Sequence, residues 1–372
     1  MANLVPMEQK AVCISPLDWG LGHATRCISL MYALESLNYK VYIATDGKHE
    51  AILREAVPNA TFLHLKGYRV WYTRSRALLI PGIIVQIPKI IASVVHEYFW
   101  LKRVAKKHKF DLIISDNRFG FFHKQIKSVF ITHQLALQTP FAWSTRLNQI
   151  ITYTFINKYA ACWVADMLPP NNISGILANP KHVPNTRLWY MNCLSRLINE
   201  KDENSSSTIN ANTNLFLGIV SGPEPQRTLL ENILWEEGNK IDEKFVVIAG
   251  LPDEKNHHQK TNKGNLYHHL NGAALKKEIL NAQFIICRGG YTTLMELIPF
   301  QKKLILIPTP GQTEQEYLGK YWEQKKWAVC FSQSEFNVND AIKKAQEFEY
   351  QTPPFIAFSK DALVNELKQL SL

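Results

Sequence analysis

Short apolar runs that end in glycine or polar residues, each leading into helical spacing, recur along this chain and constrain its fold most. Ala11–Ser15, Val41–Ala44, Asp111–Ser115 and Ser128–Thr132 are such runs in the first part; Leu215–Val220, Phe245–Ala249, Phe284–Cys287 and Leu304–Ile307 follow in the second. Strands alternating with helices build parallel sheets covered on both faces, and ligands gather at the carboxyl ends of the strands. Past Asn199, "EKDENSSSTINANTN" lacks apolar periodicity and reads as a linker. The expected fold is α/β, with two Rossmann-like, doubly wound domains. Residues 1–198 form the first and 214–354 the second, with a linker at 199–213 and an amphipathic helix within 355–372. A chain of 372 residues is long enough for two such cores.

The side-chain inventory removes several function classes. Hydrophobic residues make up 46% and charged residues 20%, as in a soluble globular protein. The formal charge is +10, yet Arg69 to Lys109 holds nine Lys/Arg against one Glu and so carries most of it. A globally basic nucleic-acid binder is not expected. The six cysteines are scattered without CxxC pairs, so neither a zinc site nor a disulfide framework is indicated. The opening MANLVPMEQK lacks a signal-peptide pattern, which makes the cytoplasm the default location.

Three turns have the composition of phosphate cradles. In "SPLDWGLGHATR", Gly20 and Gly22 let backbone N–H groups approach a ligand at the start of a helix. His23 and Arg26, three apart, share a face of its first turn. Thr25 stands where a dinucleotide fingerprint would have its third glycine, and no Walker A motif is present. "SGPEPQRTLLE" places Ser221, Gly222 and Arg227 at a second strand end. In "RGGYTTLMEL", Arg288, Gly289 and Gly290 precede Thr292 and Thr293, with Glu296 a turn later. Paired glycines with hydroxyls suit a diphosphate, and a carboxylate suits ribose hydroxyls. The plainer alternative makes the threonines helix caps and Glu296 a solvated residue. Gln312, Thr313, Glu314 and Gln315 then cluster at the next strand end, where sugar hydroxyls would be received.

These residues carry a resemblance. "CRGGYTTLMELIPFQKKLILIPTPGQTEQEYLGKYWEQ" resembles the carboxyl-terminal domain of the family 28 glycosyltransferases, the MurG-like, UDP-sugar-dependent group, and "GLGHATR" is similar to their amino-terminal turn. The resemblance implies a GT-B fold, two Rossmann-like domains facing across a cleft, with the last helix packing back on the first domain. It also implies diphosphate contacts at Gly289, Gly290 and Thr292, ribose contact at Glu296, donor-sugar contact at Gln315, and Arg196 facing the diphosphate. Three departures leave the sugar and the acceptor open. The first turn is poorer in glycine, Gly319 replaces an asparagine, and "SGPEPQR" replaces a loop rich in glycine and serine.

The expected activity is transfer of a sugar from a nucleotide-sugar donor, a UDP-sugar by resemblance, to an acceptor hydroxyl with inversion. The chain has no Asp-x-Asp, so a metal held by paired aspartates is not indicated and no cofactor is expected. Helix N-termini with Arg196 and Arg227 would balance the leaving diphosphate. His23 and Asp116 are rival candidates for the base, with His133 third and about as well explained by burial. Asn117, Arg118 and Gln134 join them on the acceptor side. A GxGHxxR turn also fits hydrolases of the same fold, which use water as acceptor, and a silent nucleotide-sugar-binding protein remains open.

The basic segment is the other unusual region. Its apolar stretch Ala77–Val95 is interrupted by Pro81, Gly82, Gln86, Pro88 and Lys89, too often for a spanning helix. Trp71, Tyr72, Phe99 and Trp100 flank it, with cations outside. An interfacial anchor on an anionic membrane would look like this, at the inner face of the plasma membrane, and would suit a lipid-linked acceptor. A core helix with a solvated basic end would look the same.

Overall fold

The computed structural model describes residues 9–71, 76–137, 142–198, 214–251 and 257–372. The 199–213 linker, Tyr72 and Arg74 therefore lie outside the described residues.

The first domain runs β1 (Ala11–Pro16), α1 (Leu21–Ser36), β2 (Lys40–Thr45), α2 (Lys48–Ala56), β3 (Thr61–His64), α3 (Arg76–Val104), β4 (Leu112–Asp116), β5 (Lys127–Thr132), α4 (Ala142–Ile156), β6 (Ala161–Val164) and β7 (Leu188–Tyr190). Its parallel sheet has the order β3-β2-β1-β4-β5-β6-β7. Every residue of β1 and β4 is buried, which is why these strands read as unbroken apolar runs.

The second domain runs β8 (Asn214–Ile219), α5 (Gln226–Gly238), β9 (Phe245–Ile248), β10 (His258–Lys260), β11 (Gly264–Tyr267), α6 (Gly272–Asn281), β12 (Ala282–Cys287), α7 (Tyr291–Leu297), β13 (Lys303–Leu306), α8 (Thr313–Gln324), β14 (Ala328–Cys330), α9 (Val338–Glu347) and α10 (Lys360–Gln369). Its sheet order is β10-β11-β9-β8-β12-β13-β14, parallel except for the β10–β11 pair.

One apolar core continues from Val12 and Leu30 in the first domain through Tyr291 and Met295 to Ile285 and Leu306 in the second. Polar contacts stitch the same boundary. Trp322 donates its indole N–H to Ile173 O at 3.0 Å, and the Cys193 thiol donates to Met295 O. Helix α10 lies against the first domain: Glu366 accepts from the Trp163 indole at 2.8 Å and pairs with Arg187.

Within the basic segment, Arg76–Val104 forms a single helix, α3, that runs on through Pro81 and Pro88. Pro88 is exposed, so the carbonyl it leaves without an amide partner is on the water side. The opposite face is pinned by Glu97, which is buried and accepts from Arg118 Nε at 2.6 Å, the Tyr68 hydroxyl and the Gly120 amide. Ile84, Ile87, Ile91, Val95 and Phe99 form an exposed stripe along α3, with Ile91 58% exposed. Leu147, Ile150 and Ile151 of α4 are exposed as well. A groove of about 910 Å³ lies between the two helices, lined by Val95, Phe99 and Phe155 and edged by Lys124, Lys127 and Lys158. Among the described residues, no helix is long and apolar enough to cross a membrane.

Candidate active site

In each sheet the strand order reverses beside the first strand, between β1 and β4 and between β8 and β12. Loops diverge at such points and leave a crevice at the carboxyl ends of the strands. The two crevices face each other and enclose a cleft of about 800 Å³, ample for a nucleotide-sized ligand.

On the first-domain wall, Gly20 has φ 152°, a conformation that favours glycine, and α1 begins directly after it without a side-chain cap. His23 lines the cleft with Nδ1 3.0 Å from Asp116 Oδ1. Pairing of Pro16 with Asp116 in the β1–β4 register brings them together despite 93 residues of separation. Asp116 is fully buried and gripped by Arg26, whose Nε donates to Oδ2 at 2.7 Å and whose Nη2 donates to Oδ1. Burial works to raise the Asp116 pKa, but the charge of Arg26, then that of His23, outweighs it and holds the carboxyl well below the usual range. The two candidate bases are in contact, with His23 lining the cleft and Asp116 buried behind it. Arg26, buried beside it, does not share the cleft face with His23 as the spacing implies.

His133 lies on the floor of the cleft and bridges the domains. Its Nδ1 is 2.8 Å from Arg26 Nη1 and its Nε2 is 3.2 Å from Glu314 Oε1. A guanidinium only donates, so Nδ1 accepts and Nε2–H donates to the carboxylate. Its ring stacks on Tyr291 at 4.3 Å between centroids, and burial pushes its pKa down, as suits a neutral imidazole. His133 is thus an interdomain contact, with no nitrogen left for an acceptor.

Three expected acceptor-side residues lie elsewhere. Arg118 is buried under α3 by Glu97 and donates to Pro16 O and Lys66 O, because its position follows a turn that points away from the cleft. Asn117 occupies that turn at φ 56°, its amide donating to Ile131 O, and the Gln134 amide donates to Thr132 Oγ1. None of the three lines the cleft.

The second-domain wall is made of turns and hydroxyls. Gly22 sits so close to α7 that an added Cβ would lie 2.7 Å from Thr292 Oγ1, so its glycine lets the two helix starts meet. Thr293 Oγ1 is 3.4 Å from Ser221 Oγ, and Gly222, at φ 110°, borders the same space. Gly290, Gln312 and Gln315 line the cleft; Gln315 Oε1 accepts the Thr309 amide at 2.8 Å, which fixes the side chain. Glu296 accepts from Arg196 Nε at 3.0 Å, both side chains on the cleft surface.

Four expected donor contacts are placed differently. Arg227 lines the cleft but is saturated by Glu224 and Glu231 and by Ala249 O, so its charge is already balanced. Arg288 is buried behind the turn, donating to Ile307 O and Gln226 O, and burial pushes its pKa down to about 10. Gly289 packs against α8, where an added Cβ would lie 3.1 Å from Gln315 O, and Thr313 starts α8 outside the cleft lining.

The cleft also contains residues the motifs did not reveal. Asp18 accepts the amides of Tyr68 and Arg69 at 2.9 and 2.8 Å and so folds the loop after β3 onto the first-domain wall of the cleft. Asp46 pairs with Arg69 at 2.6 Å, and His49 of α2 is buried near Asp18 and His23. Asp46 could have been found as the polar end of the second strand; Arg69 and His49 had no local signal. On the other wall Leu251, Leu270, Leu275 and Ile279 make an apolar surface.

Residues 219–362 match the family model described as the glycosyltransferase family 28 C-terminal domain. No curated protein matches the chain in sequence. Among solved structures, the glycosyltransferase SnogD from Streptomyces nogalater is similar over 97% of this chain and 99% of its own, at 16% identity and TM-score 0.60. Spinosyn rhamnosyltransferase SpnG complexed with thymidine diphosphate is similar over 96% of this chain and 92% of its own, at 11% identity and TM-score 0.57. Arabidopsis thaliana UGT89C1 complexed with UDP-L-rhamnose is similar over 97% of this chain and 94% of its own, at 12% identity and TM-score 0.61. The chain has the GT-B fold of glycosyltransferases, and its second domain resembles that of family 28.

Proposed function

We propose that this protein transfers a sugar from a nucleotide-sugar donor, a UDP-sugar in the simplest case, to an acceptor hydroxyl, with inversion at the anomeric carbon and without a metal. One observation carries this reading: the His23–Asp116 pair faces, across a single cleft, the Gly290–Thr293 turn and Glu296 of a family 28-type domain. Two of the solved structures named above hold a nucleoside diphosphate or a nucleotide sugar, which supports a donor of this class.

With Arg26 Nη2 donating to Asp116 rather than to the ring, His23 Nδ1–H donates a hydrogen bond to Asp116 Oδ1, which leaves the Nε2 lone pair for the acceptor hydroxyl. As that oxygen bonds to the anomeric carbon, the bond to the diphosphate breaks on the opposite face. Negative charge grows on the leaving group, where Thr292, Thr293, the backbone of the Gly290 turn and Arg196 stand; donors aimed there favour the transition state over the ground state. Glu296 is placed to receive the ribose hydroxyls.

The exposed apolar stripe of α3, the apolar residues of α4 and the lysines between them support a second part of the reading, peripheral docking on an anionic membrane and a lipid-linked acceptor. A thermal-shift screen with UDP-, dTDP- and GDP-sugars, followed by product analysis, tests the whole. A UDP-sugar that stabilises the protein and yields a glycosylated product supports transfer. Free sugar as the only product, with every acceptor class supplied, replaces transfer by hydrolysis. Stabilisation without turnover leaves a binding protein, and EDTA-sensitive turnover removes metal independence.

A further inference from the structure

We infer that Arg26 is a positioning residue for the base, holding the His23–Asp116 pair and tying it through His133 and Glu314 to the donor-side turns. This rests on His23 as the base. Arg26 is fully buried and does not line the cleft, so it touches no substrate. Its guanidinium engages both oxygens of Asp116. The same Nη2 stands 3.0 Å from His23 Nδ1, while Nη1 donates to His133 Nδ1 at 2.8 Å. A planar fork can donate to Asp116 and His133 at once while its edge lies beside the His23 ring, whose Nδ1–H is turned to Asp116; a lysine ammonium cannot hold both acceptors in one plane.

The path continues across the domain boundary. His133 Nε2–H donates to Glu314 Oε1, and that oxygen also accepts the Tyr291 amide at 3.4 Å. Tyr291 follows the Gly290 turn and Glu314 follows Gln312, so the base is connected to both turns proposed to hold the donor. The orientation of His23 in one domain is in this way linked to the placement of the other.

Charge matters as well as geometry. The groups that face His23 are Asp116 from β4, Arg26 on its own helix, His133 after β5, His49 from α2 and Glu314 from α8. Arg26 balances the charge of the carboxylate that orients His23. Removing the Arg26 charge would leave Asp116 uncompensated and favour the protonated imidazole, which is inactive as a base.

The test is the pH–rate profile of Arg26→Gln and Arg26→Lys, with the nucleotide sugar that gives the largest thermal shift as substrate and nucleoside diphosphate release as readout. Arg26→Gln is expected to move the acid limb of kcat to higher pH and lower kcat about 10- to 100-fold, with donor KM unchanged. Arg26→Lys should restore the acid limb but not the full kcat. His133→Leu cuts the path without removing the charge; it should lower kcat and leave the acid limb in place. An unmoved acid limb in folded Arg26→Gln would overturn the inference, as would a change in donor KM alone. If Arg26→Gln does not fold, wild-type kcat in His133→Leu overturns it instead. Wild-type turnover in His23→Ala removes the base itself, an outcome distinct from any of these.

Discussion

The two walls of the cleft are built on different plans. The first domain brings its chemistry from far apart in the chain: His23 and Arg26 meet Asp116 and His133 only because β1, β4 and β5 are neighbours in one sheet. Its polar groups are buried and spent on one another. The second domain places its groups locally, with Gly290, Thr292, Thr293 and Glu296 in one turn and helix, facing open cleft. Under the proposed function the contrast separates two tasks: a base would be held in one orientation by surrounding partners, and a donor site that exchanges its ligand would use backbone and small hydroxyls that need little support.

If this contrast is sound, the largest effect belongs to the first wall. His23→Ala should lower turnover about 10²- to 10⁴-fold while donor affinity, measured by calorimetry, stays unchanged. Asp116→Asn should act in the same direction. Near-normal turnover in His23→Ala would mean the first wall is structural. On the outer face of that domain, reversing Lys102, Arg103, Lys106 and Lys107, all exposed at the end of α3, should release the protein from anionic vesicles. Each charge near such a surface contributes about 1 kcal/mol, so binding should also weaken as salt rises. Failure of the wild-type protein to sediment with anionic vesicles at low salt would end the membrane reading and favour a soluble acceptor.

The second wall should respond through affinity. Glu296→Ala is expected to weaken donor binding by about 1.5–3 kcal/mol with the fold intact, the range for hydrogen bonds to a charged group. Unchanged affinity would make Glu296 no more than the partner of Arg196. The seam between the walls gives the smallest effect. Gly22→Ala forces a methyl group against Thr292 and should cost about 1–2 kcal/mol of stability by thermal unfolding. Thr292→Ala in the same chain should recover part of it; equal melting of Gly22→Ala and wild type would show that the meeting of the two helix starts does not need glycine here.

What the sequence disclosed follows the same division. Parallel strands buried on both faces, such as β1 and β12, announce themselves as apolar runs, and glycine turns that need special backbone are visible locally. The second wall was legible for that reason. Pairing across the sheet is not local, so nothing in "GLGHATR" or "SDNRFG" could say that Arg26 would neutralise Asp116, or that Arg118 would turn back under α3 to meet Glu97. The arginines misled most. A guanidinium beside a candidate phosphate turn has the same sequence signature whether it is free, as a reader of anions, or saturated, as Arg227 is by Glu224 and Glu231.

The contact of α10 with the first domain has a consequence for biosynthesis. Trp163 and Arg187 are made before any of the second domain, yet their partner Glu366 stands on the last helix of that domain. Until that helix is made, the Trp163 indole N–H lacks its acceptor and the Arg187 charge its partner. The amino-terminal domain thus cannot reach its final packing as a nascent chain, although domains often fold in order of synthesis. Completion of the first half waits on α10, the last helix of the second.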